Sequence, residues 1–195
     1  MKKLIIFDLD GTLVKLDIDY SYIREKLREF FKTESEFSSL LSTIKKLSKT
    51  NQELMSALKI ISDEELKAAQ QITMNNDLIQ LLEFLKSSGY IIALVTLQDR
   101  KTTMKVLSNL LITDLIDSIV TRDDSTDRLN QIQLTLESFE ISPTESIMVG
   151  DRQNDISSAL KLGCKPILIN KKVSSKTESH VLQISNLYQL MKITF

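Results

Sequence analysis

Short apolar runs recur along the chain and predict the strands of a buried sheet. Four of them stand out, at residues 4–7, 91–95, 147–149 and 167–169, and residues 119–120 form a weaker fifth. The runs are continuous and rich in β-branched residues, as expected for parallel strands covered on both faces. Helical periodicity separates them at residues 76–87, 101–110, 127–139 and 153–162. This alternation predicts an α/β fold with a doubly wound parallel sheet.

Residues 16–79 follow a different pattern, in which helical periodicity repeats without an intervening strand. We expect helices at residues 20–31, 36–47, 52–60 and 64–74. Ser62 and Glu65 have the spacing of a capping box, which predicts that the last helix starts there. A run of helices directly after the first strand predicts an inserted all-helical cap at residues 16–79. The α/β core is then discontinuous and consists of residues 1–15 and 80–195.

Composition narrows the class of protein without indicating an activity. The 195 residues are 42% apolar and 26% charged, which is typical of a globular protein. The 25 Lys and Arg residues balance 26 Asp and Glu, so the basic excess of nucleic-acid-binding proteins is absent and we expect no such partner. The first apolar run stops at Asp8, too early for a signal peptide or a membrane span, and we expect no membrane partner. Cys164 is the single cysteine, which excludes an internal disulfide and favours a reducing, cytoplasmic location.

Polar residues follow the predicted strands at their carboxyl ends, where open α/β sheets bind ligands. Asp8 and Asp10 come directly after the first strand, and their spacing puts both carboxylates on one side of an extended chain. Two such acids can share a hard cation, or one can act as a nucleophile while the other transfers protons. Gly11 permits a sharp turn beside them. A surface turn with solvated acids is the alternative interpretation.

Thr96 and Asp151 follow two other predicted strands in the same way. A hydroxyl at a strand end can hold a phosphoryl oxygen, although a threonine that caps the following helix is the commoner case. Asp155 comes four residues after Asp151, which places both acids on one face of the next helix. Since the helix dipole favours acids in a first turn, these two also have a purely structural interpretation.

A cluster of carboxylates around a phosphoryl group needs positive charge, and two arginines lie in the interval before Asp151. Arg122 follows the weak strand, and Arg128 lies in the first turn of the next predicted helix. Because the helix dipole disfavours a cation at that position, Arg128 is the stronger functional candidate. A solvated arginine paired with Asp124 or Asp127 is the alternative interpretation.

In this order and spacing, the residues resemble the haloacid dehalogenase-like hydrolase superfamily, and in particular its phosphatases of the phosphoglycolate phosphatase type. Residues 8–13 match the first family motif, Thr96 matches the second, and Gly150 and Asp151 with Asp155 match the fourth. The helices at residues 16–79 lie where this family inserts its cap domain. The resemblance covers nearly the whole chain.

The resemblance implies an Mg²⁺-dependent phosphatase that acts on a small phosphorylated metabolite. Asp8 would attack phosphorus and form an aspartyl-phosphate, while Asp10 would protonate the leaving oxygen and then activate water. Mg²⁺ would be held by the Asp8 carboxylate, the Asp10 main-chain carbonyl and Asp151, with Asp155 as a further ligand or supporting partner. The substrate would be bound by residues of three motifs: Gly11, Thr12, Thr96, Leu97 and Arg128.

The third motif departs from the family pattern, because most relatives carry a lysine there. No lysine lies between Lys105 and Lys161, and we expect Arg128 to replace it, with Arg122 as the alternative. A phosphomutase of the same superfamily and a phosphate-binding regulatory protein without turnover are alternative functions. A receiver domain of the signalling type fits less well, since such domains are shorter and have no helical insertion.

The cap is expected to decide the substrate and to exclude water. Its first segment, residues 15–24, follows the catalytic loop directly. We therefore expect four of its polar side chains to approach the ligand: Asp17, Asp19, Tyr20 and Arg24.

Overall fold

A computed structural model describes residues 3–170 and 181–193 of the chain. Within these ranges six strands form one sheet: β1 (Lys3–Phe7), β2 (Tyr90–Val95), β3 (Ser118–Val120), β4 (Ser146–Gly150), β5 (Lys165–Ile169) and β6 (Leu182–Ile184). Their order is β3-β2-β1-β4-β5-β6, and every neighbouring pair is parallel. The predicted doubly wound sheet is confirmed, with β6 as an edge strand that the sequence pattern did not predict.

Helices cover both faces of this sheet. In the described ranges they are α1 (Tyr20–Phe31), α2 (Leu40–Leu47), α3 (Asn51–Gln70), α4 (Asn76–Ser87), α5 (Arg100–Leu110), α6 (Arg128–Phe139) and α7 (Gln153–Leu162). Short 3₁₀ turns follow at Thr113–Leu115, Pro143–Glu145 and Leu187–Lys192. Among the helices of these ranges, we find none whose length and apolar character would let it cross a bilayer.

The prediction of two separate helices at residues 52–60 and 64–74 is wrong, because α3 runs without a break from Asn51 to Gln70. Its N-cap is Thr50, whose side chain accepts from the Glu53 N–H. Thr50 and Glu53 have the same spacing as the supposed capping box at Ser62 and Glu65. The latter two lie inside the helix, where Glu65 is 3% exposed and points at a cation from another part of the chain.

Alternating strand residues build a core on each face of the sheet. Ile5 and Phe7 of β1 belong to a large apolar cluster that includes Leu81 of α4, and Ile23 and Ile61 of the helices before it. Leu4 and Ile6 pack on the opposite face, against residues of α6 and α7. Helices α1 to α3 thus share one apolar cluster with the sheet, and the division of the chain at residues 15 and 79 stays a prediction.

The packing of α4 on the sheet generates a stability prediction. Leu81 is fully buried, so Leu81→Ala leaves a cavity and should lower the free energy of unfolding by about 2 to 5 kcal/mol. Leu160 of α7 is 41% exposed, and Leu160→Ala should change it by less than about 0.5 kcal/mol. Urea unfolding of both variants checks this; equal losses would contradict the assigned burial.

Candidate active site

The sheet order brings the predicted motifs together. β1 lies between β2 and β4, and Phe7 is in register with Leu94 on one side and Val149 on the other. The chain leaves β1 at Asp8, so this residue lies at the point where the strand order reverses, the usual ligand site of open α/β sheets. Thr96 follows the end of β2 and Asp151 follows the end of β4 on either side of it.

Three carboxylates meet at this point. One carboxylate oxygen from each of Asp8, Asp151 and Asp155 lies within 4.8 Å of the other two. Asp8 and Asp155 are 5% and 1% exposed, and Asp151 Oδ1 is buried without a hydrogen-bond partner among the described residues. Clustered carboxylate oxygens are the ligands that hard divalent cations prefer. The donor set and the unsatisfied oxygen therefore fit a cation such as Mg²⁺.

Arg128 is the cation that reaches this cluster. Its Nη2 lies 2.5 Å from Asp8 Oδ1, and its Nε forms an ion pair of 2.8 Å with Asp155 Oδ1. Its Nη1 donates to Gln131 Oε1 at 3.0 Å. The surface interpretation of this arginine is wrong, because Arg128 is only 4% exposed. Asp127 caps α6 instead of pairing with Arg128, accepting from the Asn130 N–H.

Arg122 points elsewhere. Its guanidinium pairs with both carboxylate oxygens of Glu65 at 3.0 Å and donates to the Leu97 carbonyl at 2.9 Å. Arg122 is the alternative replacement for the family lysine. It forms no ion pair or hydrogen bond with Asp8 among the described residues, whereas Arg128 forms one.

Asp10 is held in a fixed orientation beside the cluster. Its Oδ1 accepts from the Leu16 N–H at 2.8 Å, while its Oδ2 lies 3.5 Å from the Tyr20 hydroxyl. Arg152 Nη2 lies 3.8 Å from the same Oδ2. Asp10 is not one of the three residues whose side chains form the carboxylate cluster. One of its oxygens is thus occupied, and the other faces the polar wall formed by Tyr20 and Arg152.

Gly11 and Thr12 form the turn after Asp10. Both main-chain N–H groups are used inside the turn, since Gly11 donates to the Val14 carbonyl and Thr12 to the Leu9 carbonyl. The Thr12 hydroxyl is buried without a hydrogen-bond partner in the described part of the chain. The side chain of Thr12, rather than either N–H, is thus the group of this turn that is still free to bind.

Thr96 is completely buried, and its hydroxyl donates to Gln98 Oε1 and accepts from the Gln98 N–H at 3.2 Å. The interpretation of Thr96 as a helix cap is wrong, because α5 is capped by Asp99, which accepts from the Thr102 N–H. The Thr96 carbonyl accepts from Gln131 Nε2 at 2.7 Å. Gln131 therefore links the Thr96 loop to Arg128.

Burial dominates the electrostatics of the cluster. It raises the pKa of Asp8 to about 7, with Arg128 opposing and the neighbouring Asp155 and Asp151 adding to the rise. Burial also raises the pKa of Asp10, against the Leu16 N–H, and that of Asp151, against Arg152. Buried carboxyls whose pKa is raised in this way gain most from a bound cation, which lowers the pKa of each.

A cavity of about 810 Å³ opens between the helices after β1 and the loops of the sheet. Tyr20 and Arg24 line it, and their approach to a ligand stays a prediction. Asp17 lines a smaller neighbouring cavity together with Asp10. Asp19 instead caps helix α1, because its side chain accepts from the Tyr22 N–H at 2.9 Å.

Comparison with known proteins identifies the family. The family model for haloacid dehalogenase-like hydrolases matches residues 5–169. The chain belongs to this family. The predicted fold, family and hydrolase class are thus confirmed.

Relatives whose names give an activity are distant. The pyrophosphatase PpaX of Bacillus mycoides (strain KBAB4) is 24% identical over 179 residues, which cover 85% of this chain and 82% of the relative. A haloacid dehalogenase-like hydrolase structure from Bacteroides fragilis has a TM-score of 0.72 at 20% identity and covers 97% of this chain and 100% of its own. A predicted phosphoglycolate phosphatase from Haemophilus somnus 129PT has a TM-score of 0.66 at 20% identity and covers 97% of this chain and 96% of its own. The structural likenesses establish the fold alone.

Three residues at the site were not predicted from the sequence. Gln131 lies three positions after Arg128 on α6, and this spacing alone would have placed both side chains on one face of the helix. Arg152 adjoins Asp151 in the chain and carried a signal only through that proximity. Nothing in the sequence near Glu65 indicates its role, because its partner Arg122 is 57 residues away.

The turn at Gly11 generates a prediction with a matched control. Gly11 and Gly89 both have positive φ, at +92° and +84°, but a Cβ at Gly11 would overlap the Asp151 carboxylate, whereas one at Gly89 would meet no atom within 4 Å. Each substitution by alanine should cost about 1 to 2 kcal/mol of backbone strain. The carboxylate cluster predicts that MgCl₂ raises the Tm, and Gly11→Ala should cost more stability than Gly89→Ala and should also abolish this rise. Thermal unfolding with and without MgCl₂ checks this, and equal behaviour of both variants would contradict it.

Proposed function

We propose that the protein is an Mg²⁺-dependent phosphatase that hydrolyses a small phosphate monoester or anhydride through an aspartyl-phosphate on Asp8. The observation that carries this proposal is the burial of Asp8 at the switch point of the sheet, between the Arg128 guanidinium and two further carboxylates. A turn with solvated acids would need none of these contacts.

Asp8 acts as the nucleophile in this proposal. Its Oδ1 is held by Arg128, which fixes the carboxylate plane and opposes the rise in pKa that burial causes. A carboxylate oxygen attacks phosphorus, the bond from phosphorus to the leaving oxygen breaks, and the phosphoryl group stays on Asp8. Water then attacks the same phosphorus and releases inorganic phosphate and the free carboxylate.

Asp10 transfers the protons. The Leu16 N–H holds its Oδ1, and its Oδ2 faces the Tyr20 side. A proton on Asp10 passes to the leaving oxygen in the first step, and the resulting carboxylate takes a proton from the attacking water in the second. This second acid also supports a phosphatase rather than a dehalogenase, since dehalogenases of the family lack it.

Mg²⁺ would be held by the carboxylates of Asp8, Asp151 and Asp155 and by the main-chain carbonyl of Asp10. When bound, it supplies positive charge that stabilises the phosphoryl oxygens as their negative charge develops. The Leu97 N–H and the Arg128 guanidinium would hold the phosphoryl oxygens, together with the Thr96 hydroxyl once its proton turns from Gln98 Oε1 to the substrate. The Thr12 hydroxyl, which has no partner in the described part of the chain, is a further donor.

The helices at residues 16–79 act as the cap that selects the substrate. Arg24, Lys45 and Arg152 line the cavity of about 810 Å³, and Arg152 also lies 3.8 Å from Asp10 and 3.9 Å from Asp151. Arg24 donates to main-chain carbonyls and Lys45 to a threonine hydroxyl, and neither has a carboxylate partner among the described residues. Of the acids on the same wall, Glu65 is already ion-paired and Asp127 caps α6. This excess of positive charge favours a leaving group that carries an anionic group of its own, such as a phosphate or a carboxylate.

The pyrophosphatase relatives support the same class, since pyrophosphate has an anionic leaving group. Release of inorganic phosphate from pyrophosphate, phosphoglycolate and p-nitrophenyl phosphate, with MgCl₂ or EDTA, tests the proposal. We expect Mg²⁺-dependent turnover, faster for the first two. A regulatory protein would bind phosphate without turnover, and a phosphomutase would transfer phosphoryl groups to a second substrate faster than to water.

The single, buried Cys164 supports a cytoplasmic location for this enzyme.

Asp8→Asn tests the nucleophile. The amide cannot attack phosphorus at a useful rate, so turnover should fall to background. The Tm should be equal or higher, because one charge leaves the crowded cluster while Arg128 keeps its ion pair with Asp155. Phosphate release and thermal unfolding measure the two effects. Undiminished turnover in a clean preparation would refute the assignment.

Arg128→Ala tests the cation that replaces the family lysine. It should cost about 2 to 4 kcal/mol of transition-state stabilisation, or about 30- to 1,000-fold in kcat/KM. Arg128→Lys should recover only part, because an ammonium group cannot contact Asp8, Asp155 and Gln131 from one plane. Arg100→Ala is the control, since Arg100 is 46% exposed and pairs with Asp124 at the surface. A normal rate for Arg128→Ala would refute the role.

A further inference from the structure

Arg122 belongs to the loop after β3, yet its buried guanidinium is bound mainly by helix α3. Its Nη1 and Nη2 each lie 3.0 Å from one oxygen of Glu65, and Nη2 also donates to the Ser62 hydroxyl at 2.9 Å. Both side chains of the ion pair are 4% exposed. A planar two-point contact therefore fixes α3 against the loops at the carboxyl end of the sheet.

The same guanidinium also holds the loop that carries Thr96. Its Nη1 donates to the Leu97 carbonyl at 2.9 Å. That carbonyl belongs to the same peptide plane as the Gln98 N–H, which donates to Thr96 Oγ1 at 3.2 Å. The Arg122 main-chain N–H donates to the Gln98 carbonyl at 3.0 Å. Because a peptide unit is rigid, the position of Arg122 determines the direction from which Thr96 receives its hydrogen bond.

We propose that Arg122 and Glu65 are positioning residues, which orient the Thr96 hydroxyl and hold Leu97 in place. This hydroxyl and the Leu97 N–H can then bind the phosphoryl group. This inference rests on the proposed function, in which Thr96 and Leu97 hold phosphoryl oxygens. It makes α3 part of the machinery for phosphoryl transfer as well as a wall of the substrate cavity.

The chemistry of the pair supports positioning rather than stability. A buried ion pair gains little over apolar side chains of the same volume, because desolvation of both charges offsets their attraction. An apolar pair at these positions would hold α3 equally well but would offer no donor to the Leu97 carbonyl. The acid that also approaches Arg122, Asp99 at 3.5 Å, comes from the same loop as Leu97 and adds no link to α3.

Two conservative variants and one matched control test the proposal. Glu65→Gln keeps the shape but removes the charge, and Arg122→Lys keeps the charge but removes the fork. Asp63→Asn changes an exposed acid on the same helix, whose partner is Lys59. Assays at pH 8 keep Glu65 ionised, since burial raises its pKa to about 7, against the effect of Arg122.

We expect kcat to fall about 10- to 100-fold in both variants, because a small misplacement of a binding group is costly, while KM changes less than about threefold. The double variant should lose no more than the worse single variant, since both act through one contact. Asp63→Asn should keep the normal kcat. A kcat within twofold of the wild type in Glu65→Gln and Arg122→Lys would overturn the inference.

Amide hydrogen exchange at residues 96–99 tests the coupling without any turnover. Exchange there should be about tenfold faster in Glu65→Gln and unchanged in Asp63→Asn, although both substitutions lie on α3. Unchanged exchange in Glu65→Gln would overturn the inference. An inactive wild type that still shows the expected exchange would contradict the proposed function and not the coupling. If Glu65→Gln does not unfold cooperatively, Ser62→Ala, which removes only one acceptor of Arg122, replaces it in both measurements.

Discussion

The ion pair between Arg128 and Asp8 is the contact on which the whole site depends. Three carboxylates meet at the ends of β1 and β4, and without a cation they would repel one another in a medium of low dielectric constant. Arg128 lies at the start of α6, where the helix dipole opposes a positive charge by about 0.3 to 1 kcal/mol. Removal of Arg128 would leave the buried carboxylates of Asp8 and Asp155 without this partner, a loss that costs about 3 to 5 kcal/mol for a buried pair, so the carboxylates outweigh the dipole.

The sequence predicted those parts of the site that adjoin buried strands. Asp8, Thr96 and Asp151 each follow an apolar run directly, and parallel strands bring their carboxyl ends to one edge, so local pattern determines their meeting. Arg128 is predictable by elimination, because no lysine lies between Lys105 and Lys161. The fold was predictable for the same reason, except for β6, which is three residues long and half-exposed at the sheet edge.

Local patterns failed where a distant partner decides the structure. Ser62 and Glu65 have the spacing of a capping box, and nothing near them in the chain shows that Arg122 lies against that face of α3. Arg122 and Glu65 are buried where α3 meets the loops that follow β2 and β3. Their contact therefore depends on the tertiary packing. The pattern of the chain alone therefore gives the motifs but not the residues that orient them.

The glycines show how tightly the carboxylates are packed. The chain has only four glycines, and two of them adjoin the cluster. A Cβ at Gly11 would overlap the Asp151 carboxylate, and one at Gly150 would overlap the Asp155 side chain. The acids can approach one another this closely only because the backbone beside them carries no side chain. The charge that Arg128 neutralises and the space that these glycines leave are thus two conditions for the same arrangement, and neither is sufficient without the other.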